Sequence, residues 1–426
     1  MVLPEKLEII PLEKPPSATV RVPGSKSITN RALVLAALSK SGCTLIGALR
    51  SEDTEVMIEA LRALGWEIET DWARDRIRVE EGPANRIVRA RQGNLFLGNS
   101  GTSMRFLTAL VSLGYGRYRL DGAPRMRERP IEDLLIALRQ LGVEARSECG
   151  TGCPPVVVNT AGLKGGCARL RGNVSSQFLS GVLMAVPLAS GDTTIEVDGP
   201  LVSRPYVDIT LRMMRDFGVR ITDTNGRFEI PGQQRYHQGE YPIEPDVSAA
   251  TYFFGAAAIT GGSICIDLPR TLQPDIWFAD DLCHMGCKLS RDEKDLLIVQ
   301  GRPLHGIDVN MEDNSDSVMT LAAVACFAEG PTTIRNVAHI RHKETDRIAA
   351  LATELRRVGA EVEEYPDGLK ITPRPLHGAE IETYNDHRMA MSMSLIGLKV
   401  PGIVIKNPGC VAKTYPGFFA DLEKLR

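Results

Sequence analysis

The feature of this sequence that most constrains its fold is a local pattern that recurs five times. In each copy an amphipathic helical pattern ends at a glycine and strand-like alternation follows; the copies are EALRALGWEIET at Gly65, IALRQLGVEARS at Gly142, LRMMRDFGVRIT at Gly218, LCHMGCKLS at Gly286 and TELRRVGAEVEE at Gly359. Glycine just past a helix is a common helix end because it accepts positive φ. By subtraction, successive glycines lie 68 to 77 residues apart. That spacing is too long for a solenoid repeat and fits a duplicated α/β subdomain.

The same spacing predicts a sixth, degenerate copy near the end of the chain. It would end near Leu398 and be followed by the strand VPGIVIKN. Six copies divide naturally into two domains of three. The alternative is that helix–glycine–strand joints occur in any α/β protein, but the even spacing favours repeated units.

Composition is that of an ordinary globular protein. Of the 426 residues, 43% are hydrophobic and 24% are charged, and the formal net charge is -3, so nothing global indicates a nucleic-acid or membrane partner. The N-terminus lacks a signal-peptide apolar core, and apolar stretches such as residues 178–189 are too short to span a bilayer. We therefore expect a cytoplasmic protein, acting as a monomer. The nine cysteines include two CxxxC spacings but complete no zinc site, so we expect no bound metal.

Polar motifs fall at the starts of the other predicted helices. The motifs are PGSKSITN at Lys26, LGNSGTSM at Gly101, NVSSQF at Ser175, RHKETDR at Lys343 and YNDHRMAM at Arg388. Helix N-termini offer unpaired N–H donors and a partial positive charge, so several of them with Lys or Arg predict a site for a multiply anionic ligand. Singly each motif is weak, because a lysine at a helix start is commonly a solvated surface residue and Ser175 with Ser176 can be ordinary helix caps. PGSKS lacks the glycine that a Walker-type phosphate loop needs.

Taken in order, nine motifs identify a family. They are PGSKS, LGNSGTSMR, PRMRERPI, VSSQF, SRPY, NSDSVMT, KETDR, NDHRMAM and AKTYP, and they run over essentially the whole chain. The chain resembles the 5-enolpyruvylshikimate-3-phosphate synthase family. The resemblance implies a two-domain inside-out α/β barrel in which each domain is three βαβαββ repeats, the enolpyruvyl transferase fold. It also implies a discontinuous domain of residues 1–23 plus 246–426, an inserted domain of residues 24–245, and an active site in the cleft between them.

The resemblance also implies two sets of binding residues. Shikimate 3-phosphate, held mainly by the inserted domain, would contact Lys26, Ser27, Arg31, Ser175, Ser176, Gln177, Ser203, Tyr206, Asp316, His339 and Lys343. Phosphoenolpyruvate, mainly on the side of the discontinuous domain, would contact Lys26, Gly101, Arg125, Gln177, Arg347, Arg388 and Lys413. Planar arginine forks and lysine charges suit its carboxylate and phosphate.

Three positions depart from the family's pattern. His339 occupies a position that is typically Asn, Phe106 occupies one where many members carry Pro, and Asn173 replaces a small residue. A histidine can still donate or accept a hydrogen bond, so we expect the contact of His339 with the shikimate phosphate to be altered but the function to be kept.

The implied reaction is addition followed by elimination, without a metal or organic cofactor. The 5-hydroxyl of shikimate 3-phosphate would attack C2 of phosphoenolpyruvate while C3 takes a proton, and the tetrahedral intermediate would then lose a proton from C3 and release phosphate. Asp316 is the candidate base for the hydroxyl, and Glu344 and Lys26 are candidates for the C3 proton. The sequence does not apportion these roles, and Glu344 can instead be a simple ion-pair partner.

Two other functions fit the sequence less well. The sister enolpyruvyl transferase acting on UDP-N-acetylglucosamine typically has Lys-Asn where this chain has Lys26-Ser27, and a reactive Cys where DGAPRMRERPI has none. A non-catalytic anion- or nucleotide-binding protein on the same fold is disfavoured by the intact set of Lys26, Asp316, Glu344 and Arg347. The resemblance further implies that glyphosate inhibits the protein at the phosphoenolpyruvate site, because Gly101 leaves its backbone open to close approach.

Overall fold

The computed structural model describes residues 3–81 and 87–426, which divide into two compact units. One, called here the inserted unit, is the described part of Gly24–Ile243. The other, called the discontinuous unit, combines residues 3–23 with Glu244–Arg426. The second boundary between the units therefore falls two residues before the predicted one.

The helices and strands alternate along the chain. The α-helices are α1 (Lys26–Leu38), α2 (Glu52–Ala63), α3 (Gly101–Leu110), α4 (Glu132–Gln140), α5 (Ser176–Ala185), α6 (Arg204–Asp216), α7 (Val247–Thr260), α8 (Trp277–His284), α9 (Val318–Ala325), α10 (Arg347–Arg357), α11 (His387–Gly397) and α12 (Phe418–Glu423). The β-strands are β1 (Lys6–Ile9), β2 (Ser17–Val20), β3 (Cys43–Ile46), β4 (Ile68–Asp71), β5 (Arg76–Val79), β6 (Gln92–Phe96), β7 (Tyr115–Asp121), β8 (Glu144–Ser147), β9 (Val156–Ala161), β10 (Gly166–Arg171), β11 (Thr193–Asp198), β12 (Thr222–Thr224), β13 (Arg227–Ile230), β14 (Glu240–Pro242), β15 (Ser263–Ile266), β16 (Lys288–Arg291), β17 (Leu297–Gln300), β18 (Asp308–Asn310), β19 (Thr332–Arg335), β20 (Glu361–Tyr365), β21 (Gly368–Thr372), β22 (Ala379–Ile381) and β23 (Ile403–Lys406).

The inserted unit contains three four-stranded sheets of one design. Their strand orders are β6-β7-β9-β8, β10-β11-β13-β12 and β14-β3-β5-β4. In each sheet the first two strands are parallel and the last two form an antiparallel hairpin. A helix joins the parallel strands in the first two sheets and another precedes the hairpin, which is the predicted βαβαββ unit. In the third sheet the parallel partner of β3 comes from β14, at the far end of the unit.

The burial pattern explains how the inserted unit is layered. Helices α1, α3 and α5 are buried almost all round, whereas α2, α4 and α6 bury one face only. A helix that is apolar on every side belongs in the interior, and an amphipathic helix covers a surface. The three central helices therefore form the core, and their N-termini carry the polar motifs predicted from the sequence.

The discontinuous unit follows the same plan around α7, α9 and α11, which pack against one another. Its sheets are β2-β15-β17-β16, β18-β19-β21-β20 and the three-stranded β1-β23-β22. The predicted sixth copy is confirmed, since α11 ends just before Leu398 and β23 follows. It is degenerate because β1, from the start of the chain, pairs antiparallel with β23 where the other copies have a hairpin.

The glycines that defined the repeat all have positive φ. The φ values are 106° at Gly65, 84° at Gly142, 85° at Gly218, 114° at Gly286 and 104° at Gly359. This conformation favours glycine over residues with a Cβ atom, so the five predicted helix ends are confirmed. Within residues 3–81 and 87–426, no helix is long and apolar enough to cross a membrane.

Candidate active site

Lys26 begins α1 and lies opposite a carboxylate that the sequence did not single out. Lys26 Nζ is 3.6 Å from Asp53 Oδ2, and the two side chains are 14% and 4% exposed. Asp53 lies in the first turn of α2, which begins with a capping box formed by Ser51 and Thr54. Acidic residues are common in the first turn of a helix that begins with a Ser cap. The sequence around Asp53 therefore gave no sign of a role at the site.

Arg31 brings α1 and α6 together. Its guanidinium donates to Thr210 Oγ1 at 2.7 Å, to the Ser27 carbonyl at 2.9 Å and to the Tyr206 carbonyl at 3.1 Å. Desolvation by burial lowers the pKa of Arg31 to about 10. Ser203, the residue before α6, has a φ of 53° in the left-handed region. Four residues predicted to bind shikimate 3-phosphate, Ser27, Arg31, Ser203 and Tyr206, thus lie on two neighbouring helices or directly before one of them.

Gly101 begins α3 and lies against a buried arginine. A Cβ atom placed on Gly101 would be 2.5 Å from Nη2 of Arg129, whose Nη1 lies 3.3 Å from both oxygens of Asn99. Arg129 is only 4% exposed and was not among the predicted site residues. Arg125 lies in a short 3₁₀ helix nearby in sequence and forms an ion pair with Glu128 at 2.8 Å.

The start of α5 has the geometry of a capped helix N-terminus. Ser175 is the N-cap residue, and its hydroxyl accepts a hydrogen bond from the Gln177 N–H at 3.3 Å. Ser176 is the first helical residue and is 7% exposed. The predicted capping role is therefore confirmed for Ser175, and Ser176 and Gln177 form the first turn of the helix.

In the discontinuous unit, Arg347 is the hub of a buried charge cluster. It begins α10, and its guanidinium contacts Asp386 Oδ2 at 2.8 Å, Glu344 Oε2 at 2.8 Å and Asp316 Oδ1 at 3.2 Å. Its side chain is 2% exposed. Burial alone would lower the pKa of Arg347, but the three carboxylates raise it above its ordinary value. The guanidinium therefore stays charged and fixes the positions of the two predicted catalytic carboxylates.

Arg388 holds the second oxygen of Asp316. Arg388 Nη2 donates to Asp316 Oδ2 at 2.6 Å, and Nη1 lies 3.3 Å from the hydroxyl of Tyr252. Tyr252 belongs to the apolar helix α7, and its burial raises the pKa of the phenol well above its ordinary value, so it remains a neutral hydrogen-bonding group. Asp316 is thus oriented by two arginines from two different helices.

Lys413 completes the cluster beside Glu344. Its Nζ lies 3.9 Å from Glu344 Oε1, and both side chains are 8% exposed. His387, the first residue of α11, is buried close by, with Nδ1 at 3.6 Å from Asp386 Oδ1. Burial lowers the pKa of His387 well below its ordinary value, so the imidazole is neutral. Among the described residues, neither of its ring nitrogens has a hydrogen-bond partner.

His339, which departs from the family's pattern, is also part of this region. Its Nε2 lies 2.8 Å from the Ser315 hydroxyl, next to Asp316 in sequence. Burial, with a further contribution from Lys343, lowers the pKa of His339 to about 3. A neutral imidazole offers one donor and one acceptor, much as an Asn side chain does. Lys343 lies half-buried at the end of the same 3₁₀ segment.

The segment that carries Asp316, residues 314–317, is held on both sides by buried carboxylates. Asn314 Nδ2 donates to Asp281 Oδ2 at 3.0 Å, and the Ser317 hydroxyl donates to Asp275 Oδ1 at 2.7 Å. Burial raises the pKa of Asp281 to about 6. Neither Asp275 nor Asp281 was predicted. Asp275 lies in the short 3₁₀ segment Pro274–Ile276 and Asp281 lies inside α8, and neither stretch has a recognisable motif.

The chain is similar to known proteins over almost its whole length. The family model for EPSP synthase (3-phosphoshikimate 1-carboxyvinyltransferase) matches residues 12–422. A 3-phosphoshikimate 1-carboxyvinyltransferase from Trichormus variabilis is 48% identical over 99% of both chains, and the chloroplastic one from Solanum lycopersicum is 46% identical over 99% of this chain and 84% of its own length. The structure of an EPSP synthase from Acinetobacter baumannii has a TM-score of 0.81 at 27% identity, covering 99% of this chain and 98% of its own. The enolpyruvyl transferase NikO from Streptomyces tendae shares the fold, with a TM-score of 0.74 at 22% identity. The α/β enolpyruvyl transferase fold expected from the resemblance is therefore confirmed, and the chain belongs to the EPSP synthase family.

Proposed function

We propose that this protein transfers the enolpyruvyl group of phosphoenolpyruvate to the 5-hydroxyl of shikimate 3-phosphate and releases phosphate. The observation that carries the proposal is the Arg347 cluster, in which one buried guanidinium holds Asp316 and Glu344 at fixed positions. Two oriented carboxylates beside arginine and lysine cations are what a reaction needs when it moves protons and carries anionic groups. The family match over residues 12–422 supports the same activity.

Shikimate 3-phosphate would be bound by polar groups at helix starts. Ser27 and Arg31 on α1, with Ser203 and Tyr206 at the start of α6, form one group, and Ser175, Ser176 and Gln177 at the start of α5 form another. Helix N-termini stabilise phosphate through their unpaired N–H groups and the helix dipole. His339 and Lys343 would add contacts to the same ligand, and Asp316 would accept hydrogen bonds from ring hydroxyls.

Phosphoenolpyruvate would be bound by cations and by an open backbone. Arg347, Arg388 and Lys413 supply charges in the discontinuous unit, and Lys26, Gly101, Arg125 and Gln177 supply contacts in the inserted unit. Four hydrogen bonds from Arg347 go to its carboxylate neighbours. A guanidinium has five N–H donors, so the share of Arg347 in ligand binding is small and its main effect is to position Asp316 and Glu344. Arg388 and Lys413 would carry more of the direct contact.

The chemistry then divides into two steps. In the addition, the 5-hydroxyl attacks C2 of phosphoenolpyruvate, its proton passes to a base, and C3 receives a proton to become a methyl group. In the elimination, C3 returns a proton, the C2–O bond to phosphate breaks, and the enol double bond reforms in the product. Asp316 is the candidate base for the hydroxyl, and Glu344 and Lys26 remain the candidates for the two transfers at C3. The cations stabilise the charge on the departing phosphate.

One assay tests the proposal. Phosphate release from phosphoenolpyruvate should depend on shikimate 3-phosphate and should be unaffected by a metal chelator. UDP-N-acetylglucosamine is the control acceptor and should support no release. Release with the nucleotide sugar alone would contradict the proposal in favour of the sister reaction, and binding of both substrates without release would indicate a non-catalytic protein.

A further inference from the structure

Arg31 is a buried cation whose hydrogen-bond partners are all uncharged. It is 3% exposed, and its three hydrogen bonds go to one hydroxyl and two backbone carbonyls. Within residues 3–81 and 87–426, no carboxylate lies within ion-pair distance of its guanidinium. A buried charge without an opposite charge is costly, so another group has to compensate for part of its lost hydration.

The aromatic ring of Phe106 is placed to do this. The Arg31 guanidinium carbon lies over the ring, 5.3 Å from its centroid, and Phe106 is 1% exposed. The face of an aromatic ring attracts a cation, most strongly where both are desolvated. Phe106 is on α3, so this contact adds a third helix to the α1–α6 contacts that hold Arg31.

We propose that Phe106 is a positioning residue for the shikimate 3-phosphate site, holding the Arg31 guanidinium charged and in place for the substrate. The inference rests on the proposed function, because Arg31 is assigned there to shikimate 3-phosphate. The ring stabilises the Arg31 cation before the anionic substrate binds, and it restricts the orientation of the guanidinium. Binding therefore costs less side-chain conformational entropy. A change at Phe106 should therefore affect shikimate 3-phosphate far more than phosphoenolpyruvate.

The same unit contains a matched control. Arg204 lies over the ring of Phe228, with its guanidinium carbon 5.9 Å from the centroid, and Phe228 is fully buried like Phe106. Arg204 differs in having two carboxylate partners, Asp208 and Asp223. Phe228→Leu therefore removes a buried ring under an arginine that is already neutralised by ion pairs.

The experiment compares Phe106→Leu, Phe106→Tyr and Phe228→Leu with the wild-type protein. Steady-state KM values for both substrates and the Kd of shikimate 3-phosphate by calorimetry would be measured, with denaturant unfolding as a check on folding. We expect Phe106→Leu to raise the KM and Kd for shikimate 3-phosphate about tenfold, from the strength of a desolvated cation–π contact, with the KM for phosphoenolpyruvate changed less than about twofold. Phe106→Tyr, which keeps the ring, should restore most of the affinity, and Phe228→Leu should lower stability without altering either KM.

Three outcomes would overturn the inference: unchanged or tighter binding of shikimate 3-phosphate by Phe106→Leu, equal effects on both substrates, or no rescue by Phe106→Tyr. If Phe106→Leu does not fold, Phe106→Met replaces it, since a flexible thioether fills a core gap without a ring face. A wild-type protein without synthase activity would instead contradict the proposed function, so the two failures are distinguishable.

Discussion

Glu344 is held between two cations: Oε2 accepts a hydrogen bond from Arg347 Nη2 at 2.8 Å, and Oε1 lies 3.9 Å from Lys413 Nζ. If the carboxylate moves a proton at C3, Glu344→Gln should lower turnover by about 100-fold or more, the usual size of general acid–base catalysis. The measurement is kcat with both substrates saturating. Glu354→Gln is the control. Glu354 is also buried, and its Oε2 lies 3.2 Å from Nε of Arg357, three residues further along the chain. Near-normal turnover in Glu344→Gln would mean that Glu344 is an ion-pair partner only.

Asp316 receives Arg347 on one oxygen and Arg388 on the other. Asp316→Asn keeps the shape of the side chain but removes the negative charge that both guanidiniums face. We expect kcat to fall about 100-fold or more through loss of a general base, with folding retained and shikimate 3-phosphate bound more weakly. Asp308→Asn, which breaks an exposed pair with Arg335, should leave kcat unchanged. Turnover close to wild type in the Asp316 variant would remove Asp316 from the catalytic residues.

Gly101 offers a test with glyphosate. A methyl group at this position would meet Arg129 Nη2 at 2.5 Å, so Gly101→Ala has to displace a buried guanidinium at the start of α3. We expect competitive inhibition of the wild type against phosphoenolpyruvate, and a larger rise in the inhibition constant than in the KM for phosphoenolpyruvate in Gly101→Ala. Gly181→Ala is the control, since its Cβ would lie 3.1 Å from the Arg105 carbonyl in the neighbouring helix. A wild type that glyphosate does not inhibit would contradict this prediction.

Asp281 predicts a pH-dependent stability. Burial raises its pKa to about 6, so the folded protein takes up a proton there more readily than the unfolded chain. The stability that this proton uptake gives the fold is fully present below the ordinary pKa of an aspartate. It is lost as the pH rises through about 6, the pKa of Asp281 in the folded protein. Asp281→Asn, which can still accept from Asn314, should therefore raise the free energy of unfolding at pH 8 by about 1–3 kcal/mol, with a smaller gain at pH 5.

Denaturant unfolding of both proteins at the two pH values would measure this difference. The buried histidines His339 and His387 have lowered pKa values and act in the opposite direction, destabilising the fold as the medium becomes acidic. They are present in both proteins, so subtraction cancels their effect. If Asp281→Asn raises the free energy of unfolding equally at pH 5 and pH 8, the charge of Asp281 is not the cause of the increase.

The parts of the fold that the sequence predicted are those with a local signature. Gly65 and the four other repeat glycines mark helix ends because their backbone needs positive φ, and the motif at Ser175 marks a helix start because the Ser175 hydroxyl caps the first turn. The pairing of Lys26 with Asp53, the closeness of Tyr252 to Arg388 and the permuted strand β14 were not predicted. Each depends on which distant segments pack together, and a local pattern carries no information on that.

The same limit applies to the charge cluster. Asp316, Arg347 and Asp386 come from three separate segments and meet only because α9, α10 and α11 are neighbours in the fold. Family motifs identified most of the cluster members, whereas Asp275 and Asp281 belong to none. Their effect is to hold Asn314 and Ser317, and an aspartate in an ordinary helical stretch gives no sign of such a partner.

In the discontinuous unit, strands that are far apart in sequence pair with each other, and this has a consequence for protein synthesis. Strand β2 pairs with β15 and strand β1 with β23, so both strands leave the ribosome long before their partners are made, and β1 waits until residues 403–406 exist. The inserted unit has all its strands once residue 242 has been made. Domains fold as units during translation, so the inserted unit folds while its flanking N-terminal strands are still unpaired. Among the described strands these two wait longest for a partner, and chaperones have that time to bind them.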